Sequence, residues 1–185
     1  GEILDLIDRY ELSKRTLVVF LSDNGGGGGS TNAPLRGGKA QLFEGGIRVP
    51  CILRWPGRLP PGRGNDQFLT ALEVFPTVLS AAGIEPPENV VLDGFDMLPV
   101  LCGKTTSPRT EMFWQRRSDR AARVGNWKWV DSRKGTGLFD LGQDLAERHD
   151  LSEERPEVLE KLERRFQAWR ESMGAAEPRG PFRDY

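Results

Sequence analysis

The sequence predicts an α/β fold that ends in a small antiparallel sheet covered by one helix. Three observations carry this. A helical pattern over residues 2–12 leads straight into an unbroken apolar run over 16–22, the alternation of an α/β sheet. A second short strand at 49–55 is followed by a second helical pattern at 73–82. After residue 107 the composition changes to short strand segments and one long amphipathic helix.

Each element has a local reason. Ile3, Leu4, Ile7 and Tyr10 make a stripe at helical spacing, so residues 2–12 read as a surface helix packed by one face. The run 16–22 is apolar and rich in β-branched residues, as expected of a strand buried on both faces of a parallel sheet. Residues 49–55 form the next strand, closed by the Pro56-Gly57 and Pro60-Pro61-Gly62 turns. In the helix at 73–82, Pro76 falls in the first turn and Gly83 suits the position just past the end, while Val74, Val78, Leu79 and Ala82 form the core face. Residues 84–103 read mostly as loop. Short strands are expected at Met112–Trp114, Ala121–Val124, Trp127–Val130 and Leu138–Leu141, with Gly125-Asn126 as a two-residue hairpin turn. Pro156 starts the last helix, whose face is Val158, Leu159, Leu162, Phe166, Trp169 and Met173. The domain boundary is expected at Ser107-Pro108-Arg109, giving residues 1–107 and 108–185.

Bulk composition narrows the function classes. Hydrophobic content of 37% and charged content of 29% fit a globular chain. With 26 basic and 27 acidic residues, nothing points to nucleic acid or to a membrane surface as partner. No apolar run approaches the ~20 residues of a membrane span. Cys51 and Cys102 make neither a disulfide framework nor a metal motif and are expected to pack as small hydrophobes. The chain opens at Gly1, without Met and inside a helical pattern, so it reads as a fragment or a processed piece.

The chemistry concentrates between Thr16 and Pro50. Asp23 and Asn24 follow the apolar strand directly, where ligands bind in open α/β sheets. Their oxygens are hard donors suited to Ca²⁺ or Mg²⁺, although Ca²⁺ takes ~6–8 oxygens and further ligands must come from elsewhere. Asp-Asn-Gly is equally a turn opener. Gly25–Gly29 form a loop that fits neither a P-loop nor a dinucleotide loop: Lys39 is followed by Ala40, and Asn32-Ala33-Pro34 stands where a helix should open. Lys39, after Gly37-Gly38, is a point charge able to grip a tetrahedral oxyanion, or a solvated surface lysine. Glu44 and Arg48 either brace this loop as an ion pair or lie exposed in a turn. His149, the single histidine, reads as structural or surface, and no Ser/His/Asp or Cys/His constellation can be built.

Taken together, Ser22-Asp23-Asn24-Gly25, Leu35-Arg36-Gly37-Gly38-Lys39, Glu44-Gly45-Gly46-Ile47-Arg48-Val49-Pro50 and Arg54-Trp55-Pro56-Gly57 resemble the second half of a type I, formylglycine-dependent sulfatase (arylsulfatase family, alkaline phosphatase superfamily). Phe75–Leu79, Ala82–Ile84, Leu92–Gly94, Arg123–Lys128, Leu138–Leu141 and Asp150-Leu151 continue the resemblance in order over nearly the whole chain. It implies the end of an alkaline-phosphatase-like mixed sheet with flanking helices, 1–107 being the C-terminal part of the catalytic α/β domain and 108–185 an α+β subdomain. It implies that Asp23 and Asn24 are two ligands of one Ca²⁺, that Lys39 contacts the substrate sulfate, and that a sulfate ester is the substrate. It implies a periplasmic or secreted setting. The chain departs from the pattern in one respect that matters. Neither Cys51-Ile-Leu-Arg nor Cys102-Gly-Lys-Thr is the Cys/Ser-x-Pro-x-Arg motif that yields the formylglycine nucleophile, so the nucleophile and the remaining ligands are expected in a missing N-terminal half. Glu73 stands where the family often has Asp. Two other readings remain: a catalytically inactive sulfatase-like binding or structural module, and a phosphatase-like metal hydrolase of the same superfamily. Related phosphomonoester hydrolases usually carry Asp-His-Gly where this chain has Asp23-Asn24-Gly25, which favours the sulfatase.

Overall fold

The computed structural model describes residues 1–86 and 88–174, so positions 175–185 of the expected C-terminal subdomain lie outside the described residues. In chain order the elements are α1 (Glu2–Arg9), β1 (Val18–Leu21), α2 (Glu44–Ile47), β2 (Cys51–Arg54), α3 (Val74–Ala82), α4 (Leu98–Leu101), β3 (Glu111–Arg116), β4 (Asp119–Val124), β5 (Trp127–Ser132), β6 (Gly135–Asp140) and α5 (Pro156–Gly174). By contacts the chain divides into two units. One joins Gly1–Leu21 to Pro50–Thr110; the other joins Ser22–Val49 to the residues from Glu111 on.

In the first unit β1 and β2 pair antiparallel, with Val18 opposite Arg54 and Leu21 opposite Cys51. This corrects the expectation of a strand buried on both faces of a parallel sheet. Among the described residues the sheet has two strands, and Phe20 and Ile52 are 63% and 61% exposed. Cys51 is exposed for the same reason, contrary to the reading of both cysteines as packed, while Cys102 is half-buried with Sγ 3.3 Å from the Arg58 carbonyl. On α1, Leu4 and Ile7 are half-buried but Ile3 is exposed, as is Tyr10 just past its end, so the stripe is only partly covered. A 3₁₀ turn, Ala71–Glu73, precedes α3, and Gly83 ends α3 in the left-handed conformation expected of it (φ 69°). The buried face of α3 differs from the expected one. Val78 is exposed and Thr77 is buried, because the Thr77 hydroxyl accepts the Met97 amide at 2.9 Å. Glu73 is fully buried. It closes a capping box with Thr70 and pairs with Arg109, so that the charge is neutralised where it leaves water.

The second unit is built on a four-stranded antiparallel meander, β3-β4-β5-β6. The expected hairpin is present: Val124 pairs with Trp127 across Gly125-Asn126, and Gly125 has φ 59°. Period-2 alternation divides the sheet into two apolar faces. Phe113, Ala122, Trp129 and Leu138 meet Leu162 and Phe166 of α5. Trp129 and Phe166 pack edge-to-face, with centroids 5.6 Å apart. Ala121, Val130, Phe139 and Leu141 meet Leu42 and Phe43. Each fully buried Phe contributes about 1.5–3 kcal/mol of transfer free energy. One covering helix was expected; the other face is covered by the segment that carries the candidate site.

Candidate active site

Asp23 and Asn24 follow β1 at the point where the chain turns into the glycine loop. The Asn24 amide donates to Asp23 Oδ1 at 2.8 Å, which leaves the Asn24 carbonyl oxygen and the second Asp23 oxygen as hard donors. Asp23 is exposed and Asn24 half-buried. Among the described residues no group of three or more His, Cys, Asp or Glu is placed to hold a metal ion. The pair therefore fits part of a calcium coordination shell and not the whole of one.

Lys39 reaches the same loop through its backbone. Its amide donates to the Gly26 carbonyl at 3.0 Å, and a Cβ built on Gly27 would lie 2.9 Å from Lys39 Cβ. Two features hold this arrangement. The first is Asn32, whose side chain accepts from the Gly26 amide at 2.8 Å and donates to the carbonyls of Gly26 (2.9 Å) and Gly37 (3.1 Å). It supplies locally the hydrogen bonds that an irregular backbone lacks. The second is close backbone approach. The Gly25 amide donates to the Gly46 carbonyl at 2.9 Å, and a Cβ on Gly25 would fall 1.7 Å from the Gly45 carbonyl oxygen. No side chain fits there. The structure thus brings Asp23, Asn24 and Lys39 onto one glycine-packed loop assembly, with Lys39 exposed.

That assembly is fastened to the sheet by buried charge. Glu44 opens α2 and is 3% exposed. Lys128, fully buried on β5, places Nζ 2.8 Å from Glu44 Oε1 and 2.8 Å from Glu147 Oε1. Glu147 Oε2 also accepts the Glu44 amide at 2.6 Å, satisfying one of the free amides at the start of α2. Burial pushes the Glu147 carboxyl above its ordinary range, against the opposing pull of Lys128. Arg48 stands 3.5 Å from Glu44, so the bracing ion pair is present, as a side branch of a buried network. Arg36 lies over the Phe43 ring at 4.0 Å and donates to the Glu147 carbonyl at 3.1 Å. Sequence reading missed Lys128, Glu147 and Asn32. Lys128 carried one signal: it shares its strand face with Val130, where a cation needs a buried partner. His149 is exposed, as expected, with Nδ1 3.5 Å from Asp144.

Comparisons with known proteins agree on one family. Residues 1–84 match the model of the Sulfatase family. The chain is 33% identical over 202 aligned residues to N-acetylgalactosamine-6-sulfatase of Canis lupus familiaris, covering 89% of this chain and 39% of that protein. It is 42% identical over 113 residues to steryl-sulfatase of Mus musculus, covering 56% of this chain and 18% of that protein. The crystal structure of Ps i-CgsB superposes with a TM-score of 0.82 at 32% identity, over 91% of this chain and 39% of that one. The same protein has been solved in complex with k-i-k-neocarrahexaose. The chain therefore spans about two fifths of the length of the full-span relatives.

Proposed function

The chain belongs to the sulfatase family, and from this we propose that it is the C-terminal part of a sulfuric ester hydrolase, completed by an N-terminal half that carries the formylglycine nucleophile. The observation that carries the reading is the shared loop assembly: a paired Asp23-Asn24 directly ahead of Gly25 and Gly26, whose backbone groups bond Gly46 and the amide of the exposed Lys39. On this reading residues 1–107 complete the catalytic α/β domain and residues 108–185 are the subdomain whose sheet backs the loop. Lys39 contacts the sulfate group of the ester. Its ammonium is a compact charge on a flexible stem, suited to follow charge that redistributes over the sulfate oxygens as the S–O bond breaks. Asp23 and Asn24 hold one side of a calcium ion, and calcium, when bound, adds positive charge beside the same oxygens. Asn32 and the close-packed glycines keep the lysine and the oxygen donors in register, so that little reorganisation is needed on substrate binding.

The test uses the full-length protein and an aryl sulfate. Lys39→Ala should lower kcat/KM about 10²–10³-fold, the range for removing one preorganised oxyanion contact. Thermal unfolding should be unchanged, because Lys39 is exposed. Unchanged turnover would remove the sulfate-contact role. Parallel assays with an aryl phosphate separate this reading from a phosphatase-like hydrolase.

A further inference from the structure

Lys39 is not an isolated charge. With Ala40 and Gln41 it lines a cleft of about 430 Å³ whose other lining residues are Arg116, Asp119, Arg133 and Lys134. Two turns of the meander supply them. Arg116 and Asp119 are the closing pair of the β3–β4 hairpin, and Arg133 and Lys134 form the β5–β6 turn inside the Ser132–Gly135 pair. Four cations thus surround one carboxylate. Asp119 is itself taken up: it is 5% exposed, accepts the Arg133 amide at 3.3 Å, and lies 3.8 Å from Arg133 Nε. Other cations of the same unit have carboxylate partners, Arg120 with Asp131 and Arg165 with Glu111. Among the described residues no carboxylate lies within ion-pair reach of Lys39, Arg116 or Lys134. A concave site with an excess of one sign of charge, here four cations against one carboxylate already paired with Arg133, concentrates field and draws counter-charged ligands. Its volume lies within the range that holds a small molecule, about 300–1,000 Å³.

We infer that this cleft is a subsite for a second anionic group on the substrate, carried by the sugar unit or substituent next to the ester sulfate that Lys39 contacts. The inference rests on the sulfatase reading for the role of Lys39. Arg116 and Lys134 grip the second oxyanion, sulfate or carboxylate, while Arg133 stays with Asp119. The preferred substrates are then polyanionic saccharides rather than esters with a single charge.

The experiment uses the full-length protein and three disaccharides in which a hydrolysis-resistant sulfonate replaces the ester sulfate: one with no further charge, one with an added sulfate, one with an added carboxylate. Binding is measured by calorimetry for the wild type and for Arg116→Gln/Lys134→Gln. Arg133 is kept because the buried Asp119 depends on it. The wild type should bind a dianionic ligand about five-fold more tightly than the monoanionic one. The double variant should lose most of that preference, and 0.5 M salt should erode it in the wild type. A gain for the sulfated ligand alone assigns the cleft to sulfate; a gain for both assigns it to oxyanions generally. Equal binding of all three ligands by the wild type, or a preference that survives in the variant, overturns the subsite. If the double variant does not fold, Lys134→Gln alone carries the test, since this side chain is exposed on a turn. Release of sulfate from the corresponding esters is scored separately. Its absence in the wild type would defeat the sulfatase reading and leave the binding result to stand or fall by itself.

Discussion

Lys128 is the residue on which the placement of the candidate site depends most. It is fully buried, and so is Glu147, while Glu44 is 3% exposed. Moving three charges out of water costs several kcal/mol each, and mutual attraction offsets this only when the geometry is good and the remaining donors are filled. Here Lys128 Nζ lies 2.8 Å from both carboxylates and hydrogen-bonds Glu44 Oε1, its contact with Glu147 Oε1 being ionic, and the spare oxygen of Glu147 takes the Glu44 amide. Glu147 also holds φ 54°, a conformation costly for a side chain of its size. That strain sits where its carboxylate is pinned between the sheet and α2. Lys128→Met keeps the length and removes the charge, leaving two buried carboxylates facing each other. Denaturant unfolding of the full-length protein should show a loss of about 3–5 kcal/mol. A loss below about 1 kcal/mol would mean that the two acids are protonated or hydrated and that the lysine does not fasten the loop.

Among the elements, the meander and α5 were readable because their periods are long and regular. The alternation in Trp127–Val130 and the 3–4 spacing of Leu159, Leu162, Phe166 and Trp169 each report a face to be buried. The helix α2 was not readable, since Glu-Gly-Gly-Ile is four residues with two poor helix formers. It persists through tertiary bonds to Glu147 and Lys128, which lie far away in sequence. The same holds for the site: Asp23, Asn24 and Lys39 were visible as residue types, but the clasp of Asn32 and the burial of Glu44 depend on contacts that no local pattern encodes. Two predictions belong at this scale. In Gly25→Ala the new methyl would need the space of the Gly45 carbonyl oxygen, so the loop must open. Full-length turnover of an aryl sulfate should fall at least ten-fold while the melting of the meander changes little, and wild-type turnover would show that the close approach is dispensable. The second concerns the connector between β6 and α5. Burial raises Asp144 and Asp150, but hydrogen bonds outweigh it: from the amides of His149 and Arg148 to Asp144, and from Ser152 and the Leu138 amide to Asp150. Both therefore titrate below 3.8. A depressed carboxyl contributes stability that is present above its unfolded pKa and is lost as pH falls through the folded one. Amide hydrogen exchange at Leu138 and His149, corrected for intrinsic rates, should therefore lose protection as pH falls below about 4. Constant protection over that fall would show that the two carboxylates do not hold the connector.

At the scale of the molecule, the first unit leaves apolar surface in water. Ile3, Tyr10, Phe20, Ile52 and Phe75 are all more than half exposed. Scattered apolar residues on a surface are ordinary, but a helix face and a strand pair left open in one unit are what a core looks like before its other layer is added. The chain spans 39% of the length of N-acetylgalactosamine-6-sulfatase; on the proposed function, the N-terminal half that completes the enzyme covers this surface. The chemistry points the same way. Asp23 and Asn24 present few of the ~6–8 oxygens that calcium takes. On the proposed function, a site with so few donors would bind calcium on the order of 10⁻³ M or more weakly, and Lys39 by itself would supply charge but no nucleophile. The 185-residue chain, expressed alone, should release no sulfate from an aryl sulfate and should show only weak calcium binding by calorimetry, whereas on the proposed function the full-length protein should release sulfate and bind calcium tightly. It should also bind a hydrophobic dye that the full-length protein excludes, because Phe20 and Ile52 stay uncovered. Turnover by the isolated chain would place the nucleophile within these 185 residues and overturn the division of labour. Dye exclusion by the isolated chain would show that this apolar surface needs no further segment to cover it.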